Sequence, residues 1–183
     1  HLSLRRQRQM CIRDSVYAHS LTVLRQAMEQ EEDGPDLILR WAALLHDIGK
    51  PDTRDTTDGK VSFHHHEVVG AKLTRKRLRK LKFPKSTTED IGQLVYLHMR
   101  FHGFGDGQWT DSAVRRYVTD AGDLLPRLHK LVRADCTTRN ERKARRLQRT
   151  YDELEERIAD IAAKEDLALS LIHISEPTRL LSI

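Results

Sequence analysis

The sequence has little of what marks a secreted, fibrous or membrane-spanning chain. Only two of its 183 residues are cysteine, too few for a disulfide framework, so we expect a reducing, cytoplasmic location. Five prolines and nine glycines exclude a collagen-like or low-complexity chain. No apolar run approaches the roughly 20 residues that cross a bilayer, so we expect no membrane partner. The length suits one globular domain with a core of its own.

The net charge of +5 is only a weak indication of a phosphate-bearing partner. Residues 1–15 contain four arginines against one aspartate, so they hold +3 of that charge. A net charge of +2 remains for the rest of the chain. Any argument for nucleic-acid binding therefore depends on where lysine and arginine cluster, because the total does not support it.

The two ends of the chain differ in character from the rest. Segments 5–15 and 169–179 both resemble translated adapter sequence from sequencing libraries. We therefore predict that residues 1–15 and 169–183 are not native, and we set them aside before reasoning about the fold. The alternative is a basic N-terminal arm that binds RNA, together with a C-terminal strand.

Between these ends the apolar pattern predicts an all-α fold. Apolar residues recur at three- and four-residue steps in segment 17–28, and segment 37–48 is apolar nearly all round. The second pattern is typical of a central, buried helix. Gly34 and Pro35 separate the two helices, and Asp36 is the predicted N-cap of the second. Four more helices are predicted. The first covers about 65–82, and the second runs from a capping box at 86–89 through 98. The third covers 110–118, with Thr110 or Asp111 as the cap, and the fourth covers 124–135.

The last segment predicts a long helix over 141–168. Its apolar residues alternate steps of three and four, in the order Ala144, Leu147, Tyr151, Leu154, Ile158 and Ile161. A coiled-coil dimer and a helix packed on its own domain both fit this seam. The second is favoured, because the seam is shorter than the three to four heptads that support a coiled coil.

Polar residues within apolar helices mark a candidate site. His46 and Asp47 end the most hydrophobic helix, where an imidazole and a carboxylate are costly unless they are paired or coordinate a metal. His19 lies on a helix that can pack against them, and Asp135 ends another apolar segment. Two imidazoles and two carboxylates suit Mg, Mn, Fe, Co, Ni or Zn rather than a thiolate-preferring metal. We therefore predict a divalent metal ion as cofactor.

Further polar residues extend this set. Lys50 lies one turn from Asp47 and could hold a phosphate or an anionic transition state. His66 and His98 could serve a second metal or a phosphate contact, and His98 and His102 share a face if their helix continues that far. A hydrogen-bonded structural role is favoured for four histidines, His64, His65, His102 and His129.

Two clusters of cations bear on the partner. One predicted helix contains Arg75, Lys76, Arg77, Arg79, Lys80 and Lys82, and the long helix opens with Arg139, Arg142, Lys143, Arg145, Arg146 and Arg149. Cations at a helix start oppose the macrodipole, so their placement needs another reason, and phosphate contact is one. A solvated charged face is the alternative. The candidate RNA contacts are Arg75, Lys76, Arg79, Arg139, Arg142, Lys143 and Arg146.

The order of the site residues resembles that of a known superfamily. His19, His46-Asp47, His66, His98 and Asp135, in that order on an all-helical chain, resemble the HD superfamily of metal-dependent phosphohydrolases. The segments 44–51 (LLHDIGKP), 63–71, 111–117 and 133–140 resemble the C-terminal, HD-bearing part of bacterial CCA-adding tRNA nucleotidyltransferases, particularly those of actinobacteria. The resemblance covers residues 16–168.

This resemblance implies a division of the chain and a set of roles. Residues 16–140 would form the HD domain, and residues 141–168 a helix of the tRNA-handling body. The implied metal ligands are His19, His46, Asp47 and Asp135, and the implied catalytic residues are Asp47, Lys50, His66 and His98. The implied substrates are phosphoesters at tRNA or RNA 3′ ends, such as 2′,3′-cyclic phosphates, or nucleotides.

The sequence also departs from that family. Nucleotidyl transfer in the family depends on an N-terminal domain with a Gly-rich motif and paired carboxylates, which this sequence lacks, so we do not expect it to add CCA by itself. Two other interpretations stay open. One is a stand-alone HD nucleotide hydrolase, and the other is a non-catalytic tRNA-binding helical module whose metal is structural or absent.

Overall fold

Helices make up most of the described structure. The computed structural model describes residues 16–57, 60–104, 109–136 and 141–175. Its α-helices are α1 (16–28), α2 (Leu37–Leu45), α3 (His66–Lys80), α4 (Lys85–Leu97), α5 (Asp111–Ala121), α6 (Leu125–Asp135) and α7 (Glu141–Ser175). Short 3-10 turns cover Arg100–Gly103 and Gly122–Leu124. The β-structure within these residues is one antiparallel hairpin, β1 (Asp55–Thr57) and β2 (Lys60–Ser62), with Thr56 opposite Val61. The predicted all-α fold is confirmed.

Helix α2 lies at the centre of the core. It packs against both α4 and α6, while α3 packs along α4. Leu39, Ala42 and Ala43 of α2 are fully buried, as are Leu94 of α4 and Leu128 of α6. The prediction of a central helix is therefore confirmed, and its C-terminal end delivers His46 and Asp47 into the interior.

The helix starts follow the predicted caps in two cases and not in a third. The Asp36 carboxylate accepts from Leu39 N at 3.1 Å, and the Thr110 hydroxyl accepts from Ala113 N at 3.3 Å. The capping box at 86–89 was wrong, because a cap at Ser86 would start the helix at Thr87, whereas α4 begins two residues earlier, at Lys85. Pro84 takes the N-cap position, and its carbonyl accepts from Thr88 N at 3.0 Å.

The Asp36 cap gives a test of how α2 is held. We expect Asp36→Ala to lower the free energy of unfolding by about 1–2 kcal/mol, because it leaves the N-terminal amides of α2 without their side-chain acceptor. Asp36→Asn retains the cap but loses the charge that faces Arg127 at 2.7 Å. That partly exposed ion pair should contribute less than about 1 kcal/mol. Urea unfolding measures both variants, and an Asp36→Ala variant as stable as the unmodified chain would contradict the cap.

Helix α7 packs on the body of its own domain, as favoured from its seam. Tyr151, Leu154 and Ile161 are buried in the main core. From α6, the Arg133 guanidinium contacts three residues of α7, namely Gln148, Asp152 and Glu155. The helix extends to Ser175, beyond the predicted end at 168.

The helical continuation bears on one of the two interpretations of the C-terminal end. Residues 169–175 are helical, so the alternative of a C-terminal strand is wrong for them. That residues 1–15 and 169–183 are not native stays a prediction, and 1–15 and 176–183 lie outside the described residues. Among the described helices, none has the length and apolar character needed to span a bilayer.

Candidate metal centre

The predicted site residues converge where several helices begin or end. His46 directly follows α2, and His98 directly follows α4. His66 is the first residue of α3, and Asp135 is the last of α6. His46, Asp47, His66 and His98 are at most 4% exposed, which is rare for such groups unless they are paired or bound.

The four predicted metal ligands lie together. His19 Nε2 is 2.9 Å from Asp135 Oδ1 and 3.4 Å from Asp47 Oδ2. His46 Nε2 lies 3.3 Å from His19 Nε2 and from Asp47 Oδ2, and 3.4 Å from Asp135 Oδ1. His19 and His46 therefore each lie within 3.4 Å of both carboxylates, Asp47 and Asp135.

A second group adjoins the first and shares Asp47 with it. His66 Nε2 is 3.4 Å from Asp47 Oδ1, and the His66 ring centroid is 5.3 Å from that of His98. His19, His46 and Asp47 form one triad, and Asp47, His66 and His98 form another, each with its ligand atoms within 4.8 Å of one another. The two oxygens of Asp47 are turned to opposite groups, so this carboxylate links them.

Three of the histidine rings are fixed in the same way. The Nδ1 atoms of His46, His66 and His98 donate to the carbonyls of Ala43, Phe63 and Val95, at 2.8, 2.8 and 2.6 Å. A carbonyl oxygen only accepts, so in a neutral ring the proton lies on Nδ1 and the lone pair lies on Nε2. Each carbonyl lies three residues before its histidine, a spacing visible in the sequence.

The Nε2 atoms of His66 and His98 test whether the site fits a metal ion. Both are buried and have no hydrogen-bond partner among the described residues. A buried polar atom without a partner costs about 1–3 kcal/mol. Two such atoms face a shared carboxylate, and imidazole nitrogen with carboxylate oxygen is a donor set that divalent metals accept. The residues present fit the ion that the sequence predicts.

The electrostatics of the centre favour ionised carboxylates. Burial works to raise the pKa values of Asp47 and Asp135, but hydrogen bonds and charges of neighbouring cations hold both below their usual range. Burial works to lower the pKa of His46, but these two carboxylates outweigh it and raise the pKa to about 10. Without a metal ion, the His46 imidazolium therefore balances part of the carboxylate charge.

His98 has the opposite environment. Burial, with the nearby charge of His46, lowers the pKa of His98 to about 3. Its imidazole is therefore neutral around pH 7, which keeps the inward nitrogen free of a proton.

Lys50 lies at the site but faces a carboxylate. Its ammonium donates to Asp47 Oδ2 at 2.6 Å, and its side chain is 26% exposed. It also lies over the Phe63 ring, 5.9 Å from the centroid. The predicted phosphate contact is therefore paired with Asp47 in this structure.

Two glycines position the centre, and sequence reasoning missed their role. A Cβ at Gly49 would overlap the carbonyl oxygen of His66 and lie 2.7 Å from Gly70 N. The backbone that follows His46-Asp47 thus touches the first turn of α3 directly. Only a residue without a side chain allows this approach, which brings His66 to Asp47. The sequence showed Gly49 beside the HD pair but did not show what it contacts.

The remaining predicted histidines lie apart from the centre or outside the described side chains. His64 and His65 are exposed. His129 lies 3.2 Å from Glu155 and stacks on Tyr117, consistent with the structural role favoured for it. Helix α4 ends at Leu97, so it does not carry His98 and His102 on one α-helical face, and the His102 side chain is not described.

The candidate RNA contacts fall into different environments. Arg75 and Arg79 bind Glu89 of α4, at 2.6 and 3.0 Å, so their charges are already paired. Lys76 is exposed on α3, and Arg142 and Arg146 are exposed on α7. Arg139 and the side chain of Lys143 lie outside what the structure describes. Which of these residues contact RNA stays a prediction.

Comparisons with known proteins identify related sequences. A family model described as HD domain matches residues 16–166. The A-adding tRNA nucleotidyltransferase of Deinococcus radiodurans is 42% identical over 122 residues, which are 66% of this chain and 27% of that protein. The CC-adding tRNA nucleotidyltransferase of Thermus thermophilus is 36% identical over 143 residues, 75% of this chain and 31% of that protein.

More distant relatives match a shorter stretch. The multifunctional CCA protein of Neisseria meningitidis is 34% identical over 87 residues, which are 48% of this chain and 20% of that protein. In each of these three cases the match covers less than a third of the relative's length.

Proposed function

The chain belongs to the HD domain family, and from this premise we propose that it is a metal-dependent phosphohydrolase region acting on phosphoesters of tRNA or RNA 3′ ends. One observation carries the proposal. The buried, unpartnered Nε2 atoms of His66 and His98 meet the carboxylate of Asp47, which also faces His19 and His46. Such a convergence of neutral nitrogen and anionic oxygen in the interior is suited to binding cations.

The proposed metal ligands are those that the sequence predicts, His19, His46, Asp47 and Asp135. A divalent ion bound there supplies Lewis acidity and makes water available as a nucleophile near neutral pH. Nitrogen and oxygen donors in this mixture suit Mg, Mn, Fe, Co, Ni or Zn.

His66 and His98 fit a second cation better than a phosphate oxygen. Their Nδ1 protons are committed to the carbonyls of Phe63 and Val95. In the neutral ring the inward Nε2 then carries a lone pair, which binds a cation and repels an anion. This argument favours the first of the two roles left open for these histidines.

Lys50 is the residue that we propose to neutralise substrate charge. It is partly exposed at the edge of Asp47. Its flexible four-carbon chain allows the ammonium to turn from Asp47 to a phosphate oxygen of a bound substrate. A cation placed where negative charge develops stabilises the transition state of phosphoryl transfer.

The proposed partner and location come from the relatives. Two of their names describe tRNA nucleotidyltransferases that add A or CC, and the third describes a multifunctional CCA protein. We propose only tRNA as the partner of this chain, with the centre acting on a phosphoester at the 3′ end of that RNA. We also propose that the chain lies in the cytoplasm, where tRNA is processed.

A non-catalytic tRNA-binding module is the second candidate. The contact of 2.6 Å between Lys50 and Asp47 favours it, because this ion pair balances a carboxylate of the centre with a cation of the chain itself. In such a module the centre would hold the helix ends together, and the basic residues would bind RNA.

A hydrolysis assay on the whole chain separates the two candidates. We expect turnover of bis(p-nitrophenyl) phosphate and of 2′,3′-cyclic AMP with at least one of Mg, Mn, Fe, Co, Ni and Zn. His98→Ala should lower the rate at least tenfold, because it removes one of the two unpartnered nitrogens. The matched control is His64→Ala, which removes an exposed histidine two residues before His66. No turnover with any metal, alongside intact tRNA binding, would favour the module.

A further inference from the structure

We propose that an exposed groove on α3 holds the RNA strand beside the candidate metal centre, an inference that rests on the proposed function. The groove is lined by Ile48, Leu73, Lys76, Arg77 and Lys80 and has a volume of about 280 Å³. We call it the basic groove. Three of its five lining residues are cations, and the other two give it an apolar floor.

Helix geometry makes these residues one continuous face. Leu73, Lys76, Arg77 and Lys80 follow the spacing i, i+3, i+4, i+7, which places them on the same side of α3. The three cations lie between Lys76 and Lys80, four residues of helix apart, which is a rise of roughly 6 Å. The three charges therefore form a short stripe along the helix, which suits consecutive phosphates of one strand.

The charges of the basic groove are not balanced by carboxylates. Lys76, Arg77 and Lys80 are exposed and make no ion pair within the described part of the chain. Arg75 and Arg79, on another face of the same helix, are both held by Glu89. The helix macrodipole favours cations in the last turn of α3, but it does not account for Lys76 one turn earlier. An unbalanced stripe of this kind attracts a polyanion.

The position of the groove connects it to the centre. Ile48 directly follows Asp47, and Leu73 lies one turn after Gly70, whose backbone adjoins Gly49. An RNA strand that lies in the basic groove therefore passes beside the backbone of His46 and Asp47.

The size of the groove indicates the kind of ligand. Its volume is at or below the lower limit of small-molecule sites, which enclose about 300–1,000 Å³. A passing segment of a longer chain fits it better than an enclosed metabolite. RNA provides a phosphate at every nucleotide for the three cations and sugar or base faces for the apolar floor. The prediction that Lys76 contacts RNA is thus extended to Arg77 and Lys80, whereas Arg75 and Arg79 are assigned to helix packing.

The test removes the three charges and compares two variants of equal charge. The groove variant is K76Q/R77Q/K80Q, and the control variant is R25Q/K85Q/K164Q, which removes one arginine and two lysines at scattered exposed positions. Fluorescence anisotropy with an end-labelled tRNA transcript, in EDTA at 100 mM salt, gives the affinity. We expect at least a tenfold loss for the groove variant and less than a threefold loss for the control. A plot of the logarithm of the binding constant against the logarithm of the salt concentration has a negative slope. The magnitude of this slope should decrease by about 2 to 3 for the groove variant.

Each other outcome overturns the inference. Equal losses in the two variants would mean that only the total charge matters, and an unchanged groove variant would mean that RNA binds elsewhere. Binding of phosphatidylserine vesicles by the chain, lost in the groove variant while tRNA binding persists, would assign the groove to a membrane. Circular dichroism checks the fold, and single variants Lys76→Gln and Lys80→Gln replace the triple if it unfolds. Because EDTA removes the metal, a failure of the hydrolase proposal leaves this measurement unaffected.

Discussion

Asp47→Ala is expected to reduce the bound divalent metal to less than a tenth of the content of the unmodified chain. Asp47 is the one residue that belongs to both triads, with Oδ2 facing His19 and His46 and Oδ1 facing His66. Its loss removes an anionic ligand from each group. It also leaves the Lys50 ammonium beside the centre without its carboxylate, which repels a cation further.

Two measurements check this expectation. Elemental analysis after dialysis against each metal gives the content directly, with the exposed Asp52→Ala as the matched control. Thermal unfolding gives an independent readout, because a ligand at a hundred times its Kd stabilises the folded state by about 2.7 kcal/mol. For a chain of this size that corresponds to a rise in Tm of roughly 5–10 °C. Asp47→Ala should show no rise on addition of metal, and full metal occupancy in it would refute the assignment of Asp47 as a ligand.

The sequence predicted the helices better than their contacts. Apolar periodicity located α1, α2 and α7, because the spacing of buried positions along one helix is local information. The caps at Asp36 and Thr110 were also local and are confirmed. The start of α4 was misplaced, because Ser86 to Glu89 match the capping-box pattern although they lie inside the helix. Glu89 instead binds Arg75 and Arg79, ten or more residues away.

The candidate site was predictable in composition and not in geometry. The cost of burying His46 and Asp47 showed that they need partners. Their order with His19 and Asp135 resembled a family, and the structure brings these residues together although His19 and Asp135 are 116 residues apart. Three features needed the three-dimensional arrangement, because each depends on elements that meet only in the fold. These are the pairing of Lys50 with Asp47, the sharing of Asp47 between two triads, and the contact of Gly49 with α3.

The Gly49 contact gives the second large effect. We expect Gly49→Ala to lower the free energy of unfolding by about 3 kcal/mol, the upper end of the range for overpacking a close-packed interior. For this chain length that corresponds to a fall in Tm of roughly 6–12 °C. The reason is that the new methyl group overlaps the carbonyl oxygen of His66 and lies 2.7 Å from Gly70 N. Backbone atoms cannot rotate away as a flexible side chain can, so α3 must move.

Gly70→Ala is the matched control, because it adds the same methyl group from the other side of the same contact. Its Cβ would lie 3.4 Å from Gly49 N and from Val95 Cγ1, an ordinary van der Waals separation. Gly70 is within α3, where alanine is favoured over glycine by about 0.5–1 kcal/mol. We therefore expect Gly70→Ala to change the stability by less than about 1 kcal/mol in either direction. Equal losses in the two variants, measured by thermal and urea unfolding, would contradict the asymmetry of the contact.

Displacement of α3 also predicts which part of the centre suffers. His66 is the first residue of α3, so any shift that relieves the overlap with its carbonyl moves its side chain relative to Asp47. His19 and His46 lie on α1 and directly after α2, and neither belongs to α3. Gly49→Ala should therefore lower the content of metal bound by His66 and His98 more than that of metal bound by His19 and His46. Gly70→Ala should retain the full metal content. Unchanged metal content in a destabilised Gly49→Ala variant would show that the close approach serves packing alone.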